Sequence, residues 1–234
     1  MRQYAQTRHK ETDYALVSGI TGVVFEVCWY MRGFEQLYID MIEQPRYVEK
    51  LLEHTLKFWK DFLEGFLSEV GEYLQVLCVG DDVGMQSGPL FSPEIYRSLV
   101  HPYQRELYRF IHAKTQAKLW YHSCGAVYSY IPDLIESGVD ILNPVQFTAR
   151  DMDPAVLKQQ FGDRITFWGG GIDTQHVFPK GTPEQVAAQV RELMEIFKPG
   201  GGYVFNTVHN IQADVPPQNI VALWDAAKEY GQYD

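Results

Sequence analysis

Six short apolar runs punctuate the chain, at 14–22, 73–82, 117–125, 139–146, 165–173 and 202–210, each closing on glycine or polar residues. They are rich in β-branched and aromatic residues and do not alternate with polar ones, the pattern of a strand buried on both faces. Between them the apolar spacing lengthens to three and four residues. It predicts a helix over 45–70 with Pro45 at its first position. A second, over 92–114, opens with Ser92 as N-cap, Pro93 in the first position and Glu94 in the first turn. Thr182, Pro183 and Glu184 repeat that opening for a helix over 182–197, and a helix over 216–231 ends on Gly231. Two shorter helices are expected over 126–137 and 153–161.

Fully apolar strands alternating with helices imply an α/β protein with a parallel sheet and the helices outside it. A (β/α)8 barrel fits best, because every informative polar cluster follows the C-terminal end of a strand, where barrels carry their active-site loops. Six strands are visible where a closed barrel needs eight. The chain is expected to be one domain over residues 1–234, with no linker or repeat dividing it. Six strands leave two open sheet edges. The expectation is therefore a homodimer covering the gap, or an extra strand supplied by residues 1–13.

Composition narrows the function. The chain has 234 residues, 46% of them hydrophobic, enough to bury a core without staples. The net charge of −10, with no basic stripe, argues against nucleic acid as a partner. No apolar run approaches the ~18 residues of a membrane span, and the polar opening MRQYAQTRHKETDYA lacks the apolar stretch of a signal peptide. Three cysteines, an odd number without framework spacing, suit a reducing compartment, and a cytoplasmic location is expected. Cys28 and Cys78 read as core packing.

The strand ends hold the chemistry. His122-Ser123-Cys124 sets an imidazole and a thiol two residues apart, hence on one side of an extended chain, and both are zinc-ligand types. The alternative is a structural pair beside the turn at Gly125. His209 follows the last strand and would meet the same axis in a barrel; otherwise it is a solvated loop histidine among Asn206, Asn210 and Gln212. Asp81-Asp82 are adjacent carboxylates that are costly to bury together, so one should be paired, protonated or spent on a cap or turn. Asp173 sits at the lip of the glycine run 169–171. Asn143 and Gln146 follow the fourth strand; Glu26 and Arg32 follow the first. Glu26, amid apolar residues, either ligates a metal or pairs with Arg32.

The blocks GDDVGMQSGPLFSPEIYRSLVHPY, YHSCGAVYSYIPDLIESGVDILNPVQ, FWGGGIDTQHVFPKGTPEQV and GGGYVFNTVHNIQADVPPQNI, in that order, resemble the uroporphyrinogen decarboxylase superfamily over about nine-tenths of the chain. The resemblance implies a TIM barrel with its site at the strand C-termini, here shortened, since the family's first βα unit and the helices before it have no counterpart. His-x-Cys-Gly marks the branch of zinc-dependent, corrinoid-linked methyltransferases, and His122 and Cys124 match it. His209 stands where that branch has a further cysteine, one thiolate fewer around the metal, which makes the ion a stronger Lewis acid. The decarboxylase branch carries an arginine-rich N-terminal segment that this chain lacks, with only Arg32 and Arg150 near strand ends.

The resemblance therefore implies zinc on His122, Cys124 and His209, a corrinoid supplied by a partner protein, and methyl transfer to a thiol or similar acceptor. Glu26, Asp81 and Asp173 would be catalytic. Arg32, Asp82, Asn143, Gln146, Asn206 and Gln212 would contact the substrate. The alternatives are a metal-free decarboxylase-like lyase and an inactive barrel serving as a binding module.

Overall fold

The structure is a computed structural model that describes residues 1–20 and 22–233. In chain order the elements are α1 (Arg2–Glu11), β1 (Val17–Gly19), α2 (Phe25–Arg32), α3 (Phe34–Glu43), α4 (Pro45–Val70), β2 (Val76–Gly80), β3 (Gly84–Met85), β4 (Gly88–Pro89), α5 (Pro93–Ile95), a π-turn (Tyr96–Val100), α6 (His101–His112), β5 (Lys118–His122) and a 3₁₀ turn (Tyr128–Tyr130). Then follow α7 (Ile131–Glu136), β6 (Ile141–Asn143), α8 (Pro154–Phe161), β7 (Thr166–Trp168), α9 (Val177–Lys180), α10 (Pro183–Phe197), β8 (Tyr203–Val204) and α11 (Pro217–Tyr230). The six runs expected as strands are β1, β2, β5, β6, β7 and β8. They form one sheet in that order, with every recorded pairing in it parallel. The fold is α/β. No helix among the described residues is long and apolar enough to cross a membrane.

The chain divides into two compact units. The first comprises Met1–Val83, Leu90–His122 and Ser129–Asp140. Its core is aromatic, with Phe25, Tyr96, Tyr108, Tyr121 and Tyr130 fully buried. Here α4 keeps its predicted bounds and buries Val48, Leu52, Leu56, Leu63, Leu67 and Val70, one stripe at helical spacing. The second unit comprises Gly84–Pro89, Ser123–Tyr128 and Ile141–Asp234. It packs Ile172, Phe178, Val186, Val190, Met194 and Leu223 around α10 and α11. A full capping box between Thr182 and Gln185 opens α10.

The structure corrects three expectations. The first residues supply no strand: they form α1, which lies along α4 through Ala5 and through Arg2, a donor to the Ser68 carbonyl. The segment Arg2–Glu11 has a single β-branched residue, Thr7, and its remaining side chains are mostly good helix formers. Glu26 and Arg32, expected at the end of the first strand, lie on a helix, α2. The predicted helix over 92–114 is broken by the π-turn, where the His101 N–H donates to the Tyr96 carbonyl five residues back. Pro102 has no N–H for the carbonyl four residues behind it and its ring crowds that carbonyl, so the ladder shifts register just before it.

Candidate active site

The site is built from the ends of β2 and β5. Their register pairs Gly80 with His122. Side chains alternate along a strand, so Asp81 and Asp82 leave in opposite directions. Asp81 turns inward and is fully buried. Its Oδ1 accepts from the backbone N–H groups of Val24, Phe25 and Glu26 at 3.0, 2.9 and 2.9 Å, and its Oδ2 from the Gln104 side chain at 3.0 Å. This seats the carboxylate on the first turn of α2, where free amides and the helix dipole favour negative charge. Burial pushes the Asp81 carboxyl up to about 7, against the donors that favour its charged form. Gln104 in turn accepts from the Tyr96 hydroxyl at 2.8 Å, and the Tyr121 hydroxyl donates to the Asp81 carbonyl at 2.9 Å.

Asp82 turns to the face that carries His122. Its Oδ1 lies 3.8 Å from His122 Nε2, with both side chains partly exposed. The His122 ring stacks on Trp120, centroids 5.6 Å apart. Cys124, two residues beyond His122, keeps the same parity. The ligand atoms of Asp82, His122 and Cys124 all lie within 4.8 Å of one another. Among the described residues this is the one such group of three or more, and His209 lies outside it. Tetrahedral zinc with bonds of about 2.0 Å to nitrogen and 2.3 Å to sulfur needs ligand atoms roughly 3.5 Å apart. Imidazole, thiolate and carboxylate therefore fit the ion after small side-chain rotations.

Glu26 does not pair with Arg32. Its Oε1 accepts from the Tyr30 hydroxyl and its Oε2 from the Asp82 N–H at 3.4 Å. Arg32 binds Asp40 instead, Nε to Oδ2 at 2.6 Å, and the guanidinium beside it holds the Asp40 carboxyl below its ordinary range. Six residues along α2 turn Arg32 about 120° around the helix axis from Glu26, and the guanidinium meets Asp40 on α3 instead.

The remaining candidates belong to the second unit. Gly125 has φ +83°, and a β-carbon there would lie 2.5 Å from the Gly84 backbone, so the turn after Cys124 requires glycine. Gln146 accepts from the Gly125 N–H at 2.8 Å and donates to Gln86 at 2.8 Å. Asn143 is buried and donates to the Trp168 carbonyl at 2.8 Å. Asp173 accepts from the N–H groups of Gln175 and His176 and from His176 Nδ1, closing the loop before α9. Asn206, His209 and Gln212 are exposed. His209 and Gln212 line a hollow of about 330 Å³ with Gln146, Thr174, Gln175, Val208 and Asn210. Arg150 lies on the surface, 3.6 Å from Asp151. Burial raises the Cys28 thiol to about 12 and the Cys78 thiol to about 11, which suits packing. Gln104, which no local signal marks, is the residue that sequence reasoning missed.

The comparisons with known proteins decide the family. The model described as uroporphyrinogen decarboxylase (URO-D) matches residues 3–230. The chain belongs to the uroporphyrinogen decarboxylase family. It is 25% identical to the uroporphyrinogen decarboxylase of Psychromonas ingrahamii over 90% of this chain and 58% of that protein. It is 29% identical to that of Xanthomonas axonopodis pv. citri, over 90% of this chain and 59% of that one. A solved methyltransferase from Methanosarcina mazei shares the fold, with a TM-score of 0.74 at 19% identity over 97% of this chain and 63% of that one. The chain thus spans about three-fifths of the length of these relatives.

Proposed function

We propose that this member of the uroporphyrinogen decarboxylase family is a metal-dependent methyltransferase that moves a methyl group from a corrinoid to a thiol or similar acceptor. The observation that carries the reading is the grouping of Asp82, His122 and Cys124, three ligand types within 4.8 Å of one another. The fold shared with a methyltransferase supports it. His122 and Cys124 would hold the ion, with Asp82 or His209 as third ligand. Zinc bound there would act as a Lewis acid that lowers the pKa of an acceptor thiol. Glu26, held beside the Asp82 amide, would receive the acceptor's proton at a carboxylate oxygen. Asp173 would act from the loop before α9, and Asp81, after β2 with its carboxylate against the first turn of α2, would act through the residues it holds. Asn143, Gln146, Asn206 and Gln212 would bind or frame the acceptor. A partner protein would present the corrinoid, and a homodimer would cover the sheet edges at β1 and β8.

A decarboxylase is the second reading, favoured by the names of the curated relatives. A polycarboxylate substrate needs several cations, and Arg32 is committed to Asp40.

The test is metal analysis of the protein purified without added metal, followed by incubation with methylcobalamin and a small thiol. About one zinc per chain, and methyl transfer that is lost in His122→Ala, are expected. Carbon dioxide release from uroporphyrinogen, indifferent to chelator, would overturn the proposal in favour of the decarboxylase.

A further inference from the structure

We infer that Asp81 is a positioning residue of this site, fixing the geometry of its two neighbours Asp82 and His122 by tying β2, β5 and α2 together. The inference rests on reading those two residues as metal ligands. Asp81 makes bonds in three directions. Its N–H donates to the His122 carbonyl at 3.0 Å. Its carbonyl accepts from the Tyr121 hydroxyl at 2.9 Å. Its carboxylate accepts from the three amides that open α2 and from Gln104. The peptide leading into Asp82 is therefore held from both sides. The same α2 turn carries Glu26, whose carboxylate accepts from the Asp82 N–H. A ligand whose backbone is clamped in this way holds its carboxylate near the imidazole without needing to be buried. Outer residues that orient ligands in this manner typically change metal affinity 10–100-fold when altered.

Asp81→Asn is the discriminating variant because it keeps the shape. The retained oxygen can still accept from the amides of Val24, Phe25 and Glu26, but the new amide group faces the Gln104 side-chain donor at 3.0 Å and, less closely, the Val24 N–H at 3.2 Å, donor against donor. Adding Gln104→Glu restores a donor–acceptor pair there and leaves an oxygen for the Tyr96 hydroxyl. Zinc affinity, measured by competition with a chromogenic chelator, should fall about 10–100-fold in Asp81→Asn and recover most of that loss in Asp81→Asn/Gln104→Glu. Hydrogen exchange at residues 24–26 should accelerate and recover in parallel. Unchanged zinc affinity together with accelerated exchange would overturn the proposal and leave Asp81 a cap of α2 and nothing more. If Asp81→Asn does not fold, Gln104→Met removes one of the donors to Asp81. It should weaken zinc by a smaller factor, and unchanged binding there overturns the proposal equally. A wild-type chain that binds no zinc removes the metal reading and the positioning role with it. Failure of the positioning role alone shows as normal zinc binding in every variant.

Discussion

Gly80 meets His122 across the β2–β5 pair with no space for a side chain: a β-carbon on Gly80 would lie 2.6 Å from both the Cβ and the carbonyl oxygen of His122. The strands can approach this closely only because Gly80 is bare, and their approach brings Asp82 within 3.8 Å of the imidazole. Gly80→Ala should push the strands apart. Overpacking of this kind costs about 1–3 kcal/mol. Urea unfolding should show that loss, and the zinc content of the purified variant should fall with it. Unchanged stability would mean that the pair relaxes without cost and that glycine is not required there.

The third ligand is open to direct measurement. Asp82→Ala and His209→Ala remove the two contenders, one grouped with His122 and Cys124 and the other in the exposed loop after β8. The geometry favours Asp82, so Asp82→Ala should lose most of its zinc while His209→Ala keeps it. Cys124→Ala should lose the metal altogether. The reverse result for the first two variants would assign the role to His209, as the sequence suggested.

Thiol labelling should separate the cysteines. Cys28 is fully buried, and burial raises both it and Cys78 well above the ordinary thiol range. The thiolate is the reactive form, so iodoacetamide at pH 8 should modify Cys124 first, and added zinc should protect it. Mass spectrometry of the labelled peptides reads both. Fast labelling of Cys28 in folded protein would contradict its packing.

The Arg32–Asp40 pair predicts a limb of the acid unfolding curve. The Asp40 side chain is enclosed and accepts from Arg32 and from Gln36 at 2.8 Å, which holds its carboxyl below the usual range. A carboxyl whose pKa is depressed in the folded state binds its proton more readily when unfolded. Its stabilisation is therefore present above the unfolded value near 4 and is lost as the pH falls through the folded value. Asp40→Asn should be less stable than the wild type at neutral pH, with the difference narrowing below about pH 4. Unfolding midpoints taken from pH 2 to 7 measure this, and parallel curves would remove Asp40 from the account.

Periodicity and end signals, read from the chain alone, determined α4, α8, α10 and α11, along with the positions of the six strands. These features are local: a stripe at helical spacing, a proline in the first turn or an apolar run bounded by glycine acts within a few residues of itself. His122 and Cys124 were legible for the same reason, since two residues apart on a strand means one face. The partners of the charged groups were not legible. Adjacent carboxylates look alike in sequence, and only the pairing of Gly80 with His122 sends Asp81 to the amides of α2 and Asp82 to the imidazole. Arg32 met Asp40 and not Glu26 because the segment is a helix, not the end of a strand. Electrostatic partners are chosen by distance in space, and distance between residues far apart in sequence is set by strand register and helix packing, which no short stretch of the chain encodes.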